Sequence, residues 1–296
     1  MSVKEKIIEL KKEKDAVILA HNYQRPEIYE VADFLGDSLE LALKAKQTRE
    51  KMIVFCGVSF MAETAKILNP SKKVVHPDRL SACPMAAMPS IDDVTLLKKK
   101  NPKAAVVSYV NTTAEIKALS DACCTSSNAV KVVNSFEQSE IIFLPDKNLA
   151  AYVQTKTKKK IIPFDGHCYV HGRITPEKVK EAKMSYPRAE VVAHPECMME
   201  VIKLADAVCS TSQMISYCRE SRSKEFILAT EEGMRNRLKL EIPSKSFYSV
   251  GGTCIQMKKI TLEKVLKALE SGKEEVVLDE GTMEKARKAL ERMVSV

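Results

Sequence analysis

Two kinds of hydrophobic pattern alternate along this chain. Short runs of aliphatic and β-branched residues, such as AVILAH from Ala16, MIVFC from Met52 and EIIFL from Glu140, have no polar alternation and predict strands buried on both faces. Between them lie stretches such as LELALKA and FMAETAKIL, whose apolar positions recur every three or four residues and predict amphipathic helices. The alternation predicts an α/β fold with short parallel sheets covered by helices on both sides.

The pattern repeats. AVILAHNYQRPEIYEVADFLGDSLELALKA from Ala16, AVVSYVNTTAEIKALSDACCTSSNAVKVV from Ala105 and EVVAHPECMMEVIKLADAVCSTSQMISYC from Glu190 read alike. Each opens on an apolar run, crosses a polar loop and enters a stretch read as helical that contains an Asp, with a hydroxyl residue five positions later: Asp33 and Ser38, Asp121 and Ser126, Asp206 and Thr211. Two further apolar runs and a helical stretch follow in each copy, and each copy then reaches a cysteine. We therefore expect three similar three-layer α/β/α units about a pseudo-threefold axis, over 1–88, 89–172 and 173–261, with 262–296 packing back on the first.

The repeat sorts the nine cysteines. Cys83, Cys168 and Cys254 stand 85 and 86 residues apart and form the only column with Cys in all three copies. They lie in the Gly- and Pro-bearing segments SACP, DGHC and GGTC, where an α/β protein builds sites, and not on an apolar face. The other six read as buried thiols. Three thiolates converging on one point suit an iron–sulfur cluster with one iron left open, since a cubane of this kind usually takes four cysteines. A zinc ion using Cys168 and His171 is the alternative, and close Cys-x-x-Cys pairs typical of structural zinc are absent.

Charge narrows the partners. Lys plus Arg number 47 against 39 Asp plus Glu, a net +8 that favours an anionic ligand. No Trp and few aromatics lie among the basic residues, and no helix-turn-helix or RNA-binding motif is present, which speaks against nucleic acid. No apolar run reaches the roughly 18 residues of a membrane span, and the amino-terminal stretch lacks the pattern of a secretory signal, so a cytoplasmic enzyme without membrane contact is expected.

The same axis would gather other aligned polar residues. The ends of the first strands supply His21 and Tyr23, Tyr109 and Asn111, and His194 and Glu196. Glu196 is the only carboxylate among those loops and the natural general base. Ser38, Ser126 and Thr211 stand where turns enter helices. There they are either ordinary N-caps or seats for carboxylate or phosphate groups. His76 and His167 read as structural.

The segments AHNYQRPEIYEVADFLGDSLELA, CPMA, YVNTTAEIKA, CTSSNA, GHCYVH, HPEC, STSQM and TLEKVLKAL, in that order, resemble the quinolinate synthase family of de novo NAD biosynthesis over nearly the whole chain. The resemblance implies a transferase that condenses iminosuccinate, supplied by an aspartate-oxidising partner enzyme, with dihydroxyacetone phosphate, releasing quinolinate, phosphate and water. It implies one [4Fe–4S] cluster on Cys83, Cys168 and Cys254 with one iron open as a Lewis acid. It also implies substrate contacts from His21, Ser38, Tyr109, Val110, Asn111, Ser126, His194, Pro195, Glu196 and Thr211. Tyr23 matches the tyrosine near the open iron, and His171 the histidine after the second ligand. Some members carry a Cys-x-x-Cys-x-x-Cys run at the third ligand. Here Cys254 is followed by Ile255, Gln256 and Met257, so a disulfide switch of that form is not available. An aconitase-like hydro-lyase and an iron–sulfur sensor are the rival functions.

Overall fold

The computed structural model describes residues 1–296. The apolar runs form three sheets of four parallel strands each. The first holds β1 (Ala16–His21), β2 (Phe34–Gly36), β3 (Met52–Cys56) and β4 (Lys73–Val75) in the order β2-β1-β3-β4. The second holds β5 (Ala105–Tyr109), β6 (Ala122–Cys124), β7 (Glu140–Leu144) and β8 (Lys160–Pro163), and the third β9 (Glu190–Ala193), β10 (Ala207–Val208), β11 (Glu225–Ala229) and β12 (Ser246–Ser249). Both repeat the first order, β6-β5-β7-β8 and β10-β9-β11-β12.

One strand in each sheet was not expected from the sequence. The segment holding Asp33, Asp121 or Asp206 reads as helix, but the helix ends before the Asp and a strand of two or three residues follows it. The Asp ties this strand to the first one. Its carboxylate accepts the N–H of Ile18, Val106 or Val191 at 2.8, 2.7 and 2.7 Å. Its own N–H returns to the carbonyl of the same residue at 2.9, 2.8 and 2.8 Å. The recurring Asp is therefore a clasp between strands, far from any chemistry. Losing the acceptor leaves a buried backbone N–H of Ile18, Val106 or Val191 unpaired, which costs about 1–3 kcal/mol.

Side chains alternate across each strand, and the two faces meet different partners. Val17 and Leu19 join a central core of 50 buried residues, whereas Ala16, Ile18 and Ala20 join a separate outer cluster of 14. The third and second sheets have outer clusters of their own, of nine and five residues. The central core takes residues from all three sheets, so the three units share one interior. The outer layers close in sequence. The helix Ile91–Lys100, which follows the first cysteine, covers the second sheet through Val94, and Pro176–Ser185 covers the third through Val179. Leu262–Ser271 turns back to cover the first sheet beside Val3–Glu13, through Val265, Ala268 and Leu269. The final helix, Glu280–Ser295, takes a different place. It packs on Ala114–Ala118 and β6 of the second unit as well as on Ser59–Leu68 of the first.

Candidate active site

The carboxyl ends of all three sheets face one cavity. His21, Tyr23, Ser38, Cys83, Tyr109, Asn111, Ser126, Cys168, His194, Glu196, Thr211 and Cys254 line it. Of the residues expected there, only Val110 and Pro195 are missing from its wall. Val110 lines a small adjoining cavity with Ser38, and Pro195 is buried in the turn between His194 and Glu196.

The three cysteines are built alike. Each opens a 3-10 turn: Met85–Ala87 after Cys83, His171–Arg173 after Cys168 and Met257–Lys259 after Cys254. The backbone N–H groups two and three residues on point at the sulfur in every copy. Burial pushes each thiol up, that of Cys83 to about 12, and these N–H groups pull the other way. The thiolate charges also feel one another: Cys254 raises Cys83, and Cys83 raises Cys168. Close backbone approach sets the loops in place. A Cβ on Gly166 would stand 2.4 Å from the Pro145 carbonyl oxygen, and one on Gly251 only 1.5 Å from that of Thr230. The other six cysteines are buried thiols with no disulfide.

Ser38 and Thr211 are not N-caps. They are the first residues of Ser38–Gln47 and Thr211–Glu220, and the caps are Asp37 and Ser210, each in a capping box with the residue three further on. In the second unit the Thr125 N–H and hydroxyl both donate to Asn128 Oδ1, at 2.8 and 3.1 Å, and Ser126 follows free of that bonding. With the capping done by a neighbour, the hydroxyls at 38, 126 and 211 face the cavity, two of them at helix N-termini where N–H groups lack helical partners. Thr211 Oγ1 accepts from Asn22 Nδ2 at 3.0 Å, which leaves its own proton for a ligand. No lysine or arginine lines the cavity, and the nearest cation, Lys258, stands behind it, paired with Glu231 at 3.1 Å. An anion here would be held by hydroxyls, N–H groups and any bound metal.

The two strand-end histidines share a turn. His21 Nδ1 accepts the Tyr23 N–H at 3.1 Å, and His194 Nδ1 accepts the Glu196 N–H at 3.3 Å. Burial drives both imidazoles down to about 3, assisted at His21 by the Lys258 charge and at His194 by His171. They are neutral near pH 7. With Nδ1 accepting, the ring proton is on Nε2, and both present an N–H donor.

Glu196 is the hub. Burial would raise its carboxyl, but His171 and His194 outweigh that and hold it well below the usual range. One oxygen lies 2.6 Å from His171 Nδ1, while Oε1 has no hydrogen-bond partner of normal geometry. His171 Nε2 lies 3.0 Å from Thr230 Oγ1, which in turn lies 2.6 Å from the Tyr23 hydroxyl. Glu196, His171, Thr230 and Tyr23 thus form one buried chain, hydrogen-bonded through Thr230 and joined at its carboxylate end by a close His171–Glu196 contact that lacks normal hydrogen-bond geometry. With the His171 proton on Nδ1 toward the anionic carboxylate, Nε2 accepts from Thr230 and Thr230 accepts from Tyr23, so the chain has a direction. Burial raises both Tyr23 and Tyr109 well above the ordinary phenol range, so both enter as protonated phenols.

Thr230 and Glu231 were missed by sequence reading, and His171 entered as a possible zinc ligand and through the family resemblance. Thr230 and Glu231 follow directly on β11, the third strand of their unit. The polar residues in that column, Asp146 in the second copy and Glu231 in the third, were the available signal.

Cys168, His171 and Glu196 present ligand atoms within 4.8 Å of one another. These three residues alone give three ligands, and Thr230 already bonds His171 Nε2. Three thiols on equivalent loops of one cavity, each under two N–H groups that favour the thiolate, fit an iron–sulfur centre with three protein ligands.

A cavity built at the strand ends of three joined α/β units, with a thiol from each and a buried carboxylate–imidazole–hydroxyl chain beside them, defines an enzyme active centre. The family profile for quinolinate synthetase A protein matches residues 5–295. A quinolinate synthase from Methanoregula boonei is 48% identical over 296 residues, covering 99% of this chain and 98% of its own. One from Dehalococcoides mccartyi is 51% identical, with coverage of 99% and 98%, and one from Methanocaldococcus jannaschii is 48% identical, with 100% and 99%. The chain belongs to the quinolinate synthetase A protein family.

Proposed function

We propose that this chain makes quinolinate by condensing iminosuccinate with dihydroxyacetone phosphate, with release of phosphate and water. Cys83, Cys168 and Cys254 would hold one [4Fe–4S] cluster. When bound, the cluster supplies an open iron that acts as a Lewis acid toward a substrate oxygen. The observation that carries the reading is the directed chain Tyr23–Thr230–His171–Glu196 ending in the cavity that the three thiols share.

The chain's own residues account for the rest. Ser126, Thr211 and Asn111 offer donors to the carboxylates of iminosuccinate, and Ser38 at its helix N-terminus offers one to the triose phosphate. Neutral His21 and His194 donate from Nε2 and orient polar groups without adding charge. A proton leaving Tyr23 passes to Thr230, the Thr230 proton passes to His171 Nε2, and Glu196 stabilises the imidazolium that results. The reverse transfer returns an acid to the Tyr23 oxygen. One relay can therefore remove a proton during carbon–carbon bond formation and deliver one during dehydration. No helix is long and apolar enough to cross a membrane, which suits a cytoplasmic enzyme fed by an aspartate-oxidising partner.

Incubating the anaerobically reconstituted protein with both substrates, followed by mass detection, tests the reading. Quinolinate at catalytic turnover is the expected result. Dehydration of small hydroxy acids with no quinolinate would overturn it in favour of a hydro-lyase.

A further inference from the structure

The three cysteine loops are alike in their turns and unlike in what holds the cysteine's own backbone. Asp146 and Glu231 occupy the same place, two residues beyond the end of β7 and β11. Asp146 is fully buried and its Oδ2 accepts the Cys168 N–H at 3.0 Å, while Oδ1 accepts the Leu149 N–H at 2.7 Å. Glu231 is 1% exposed, and its Oε1 accepts the Cys254 N–H at 3.0 Å while Oε2 accepts the Gly233 N–H at 2.7 Å. Lys258 Nζ stands 3.1 Å from Glu231. The first unit has Val58 in that column, and its cysteine loop is tied through Ser81, whose hydroxyl bonds the Gln256 carbonyl at 2.7 Å.

We infer that Asp146 and Glu231 are positioning residues for the metal-binding cysteines of the second and third units, and that the first unit's cysteine lacks this support. The inference rests on the proposed function, in which those cysteines hold a cluster. Each carboxylate locks the loop by one oxygen and the start of the next helix by the other. Capturing the cysteine's own N–H leaves each sulfur only the two N–H groups of the turn that follows. Two corners of the centre therefore have a preset backbone. The Cys83 corner depends instead on contact with the third unit's ligand loop. Such outer partners are worth about 10- to 100-fold in metal affinity.

The test uses the full chain as Glu231→Gln and Asp146→Asn, loaded anaerobically with iron and sulfide. Iron release to a chelator, the reduction midpoint by EPR-monitored titration, and the thermal midpoint of the metal-free chain are measured for each. Iron release about 10- to 100-fold faster than wild type, with a midpoint potential displaced from the wild-type value, is the expected result. Asp121→Ala, which removes the strand clasp, serves as the structural comparison, with a lowered thermal midpoint and unchanged iron release. Wild-type iron release and potential in whichever variants fold would overturn the inference, even with a lowered thermal midpoint. A wild-type chain that holds no iron through its three cysteines would bring down the proposed function itself, a result distinct from variants that match a loaded wild type.

Discussion

The two ends of the first strands teach different lessons from the same repeat. At the amino-terminal half of β1, β5 and β9, three aspartates make the same pair of bonds to the same backbone position, within 0.1 Å of one another. At the carboxyl ends the copies have diverged: His21 with Tyr23, Tyr109 with Asn111, His194 with Glu196. The end that stayed identical is scaffold, because each unit needs its second strand fastened. The end that differs faces a shared cavity, where one asymmetric reaction needs a different group from each unit. The cysteines are the exception that fits, since the proposed common metal centre asks the same thing of every copy.

Mutations that separate the two ends test this contrast. The largest effect is expected from Glu196→Gln, which removes the charge opposing the imidazolium while keeping the shape. Quinolinate turnover falls about 10²- to 10⁴-fold, with iron content at the wild-type level. Thr230→Val interrupts the relay between Tyr23 and His171 and lowers kcat by about 10²-fold, whereas Thr230→Ser recovers most of it. Single-turnover rates on loaded protein distinguish the two. At the scaffold end the readouts reverse. Asp121→Ala loses about 1–3 kcal/mol of stability in denaturant titrations, with kcat within roughly a factor of two of wild type.

The smallest effect concerns acid. His21 and His194 are held near 3 by burial, while in an unfolded chain an imidazole binds its proton near 6.5. Between those values the unfolded state binds more protons, so stability falls as pH drops below about 6.5 and is level above it. Each histidine contributes a slope of at most about 1.4 kcal/mol per pH unit. Glu196 acts in the same sense lower down, since its depressed carboxyl stabilises the fold above the ordinary carboxylate range and ceases to do so in stronger acid. Denaturant midpoints of metal-free His21→Gln between pH 7 and 5 are expected to fall less steeply than those of the parent chain.

Much of the architecture was legible because buried parallel strands are continuous apolar runs, and because repetition marked Cys83, Cys168 and Cys254 as one column. The second strand of each sheet was hidden. FLG, ACC and AV are too short to show a period, and each follows a helical turn that masks it. The choice between cap and site at Ser38 and Thr211 needed coordinates, since only backbone geometry shows that Asp37 and Ser210 do the capping. Thr230 escaped because a single hydroxyl at a strand end carries no pattern, and its role exists only through groups 59 and 207 residues away in sequence. The net charge misled in one respect, because the cavity wall has no basic side chain.

The most direct measurement of whether three units share one centre is the iron content of the anaerobically loaded chain and of its Cys83→Ser, Cys168→Ser and Cys254→Ser variants. The account predicts about four irons per chain in the parent and loss of most of them on removing any one of the three thiols. A full complement retained without one of these cysteines would contradict it.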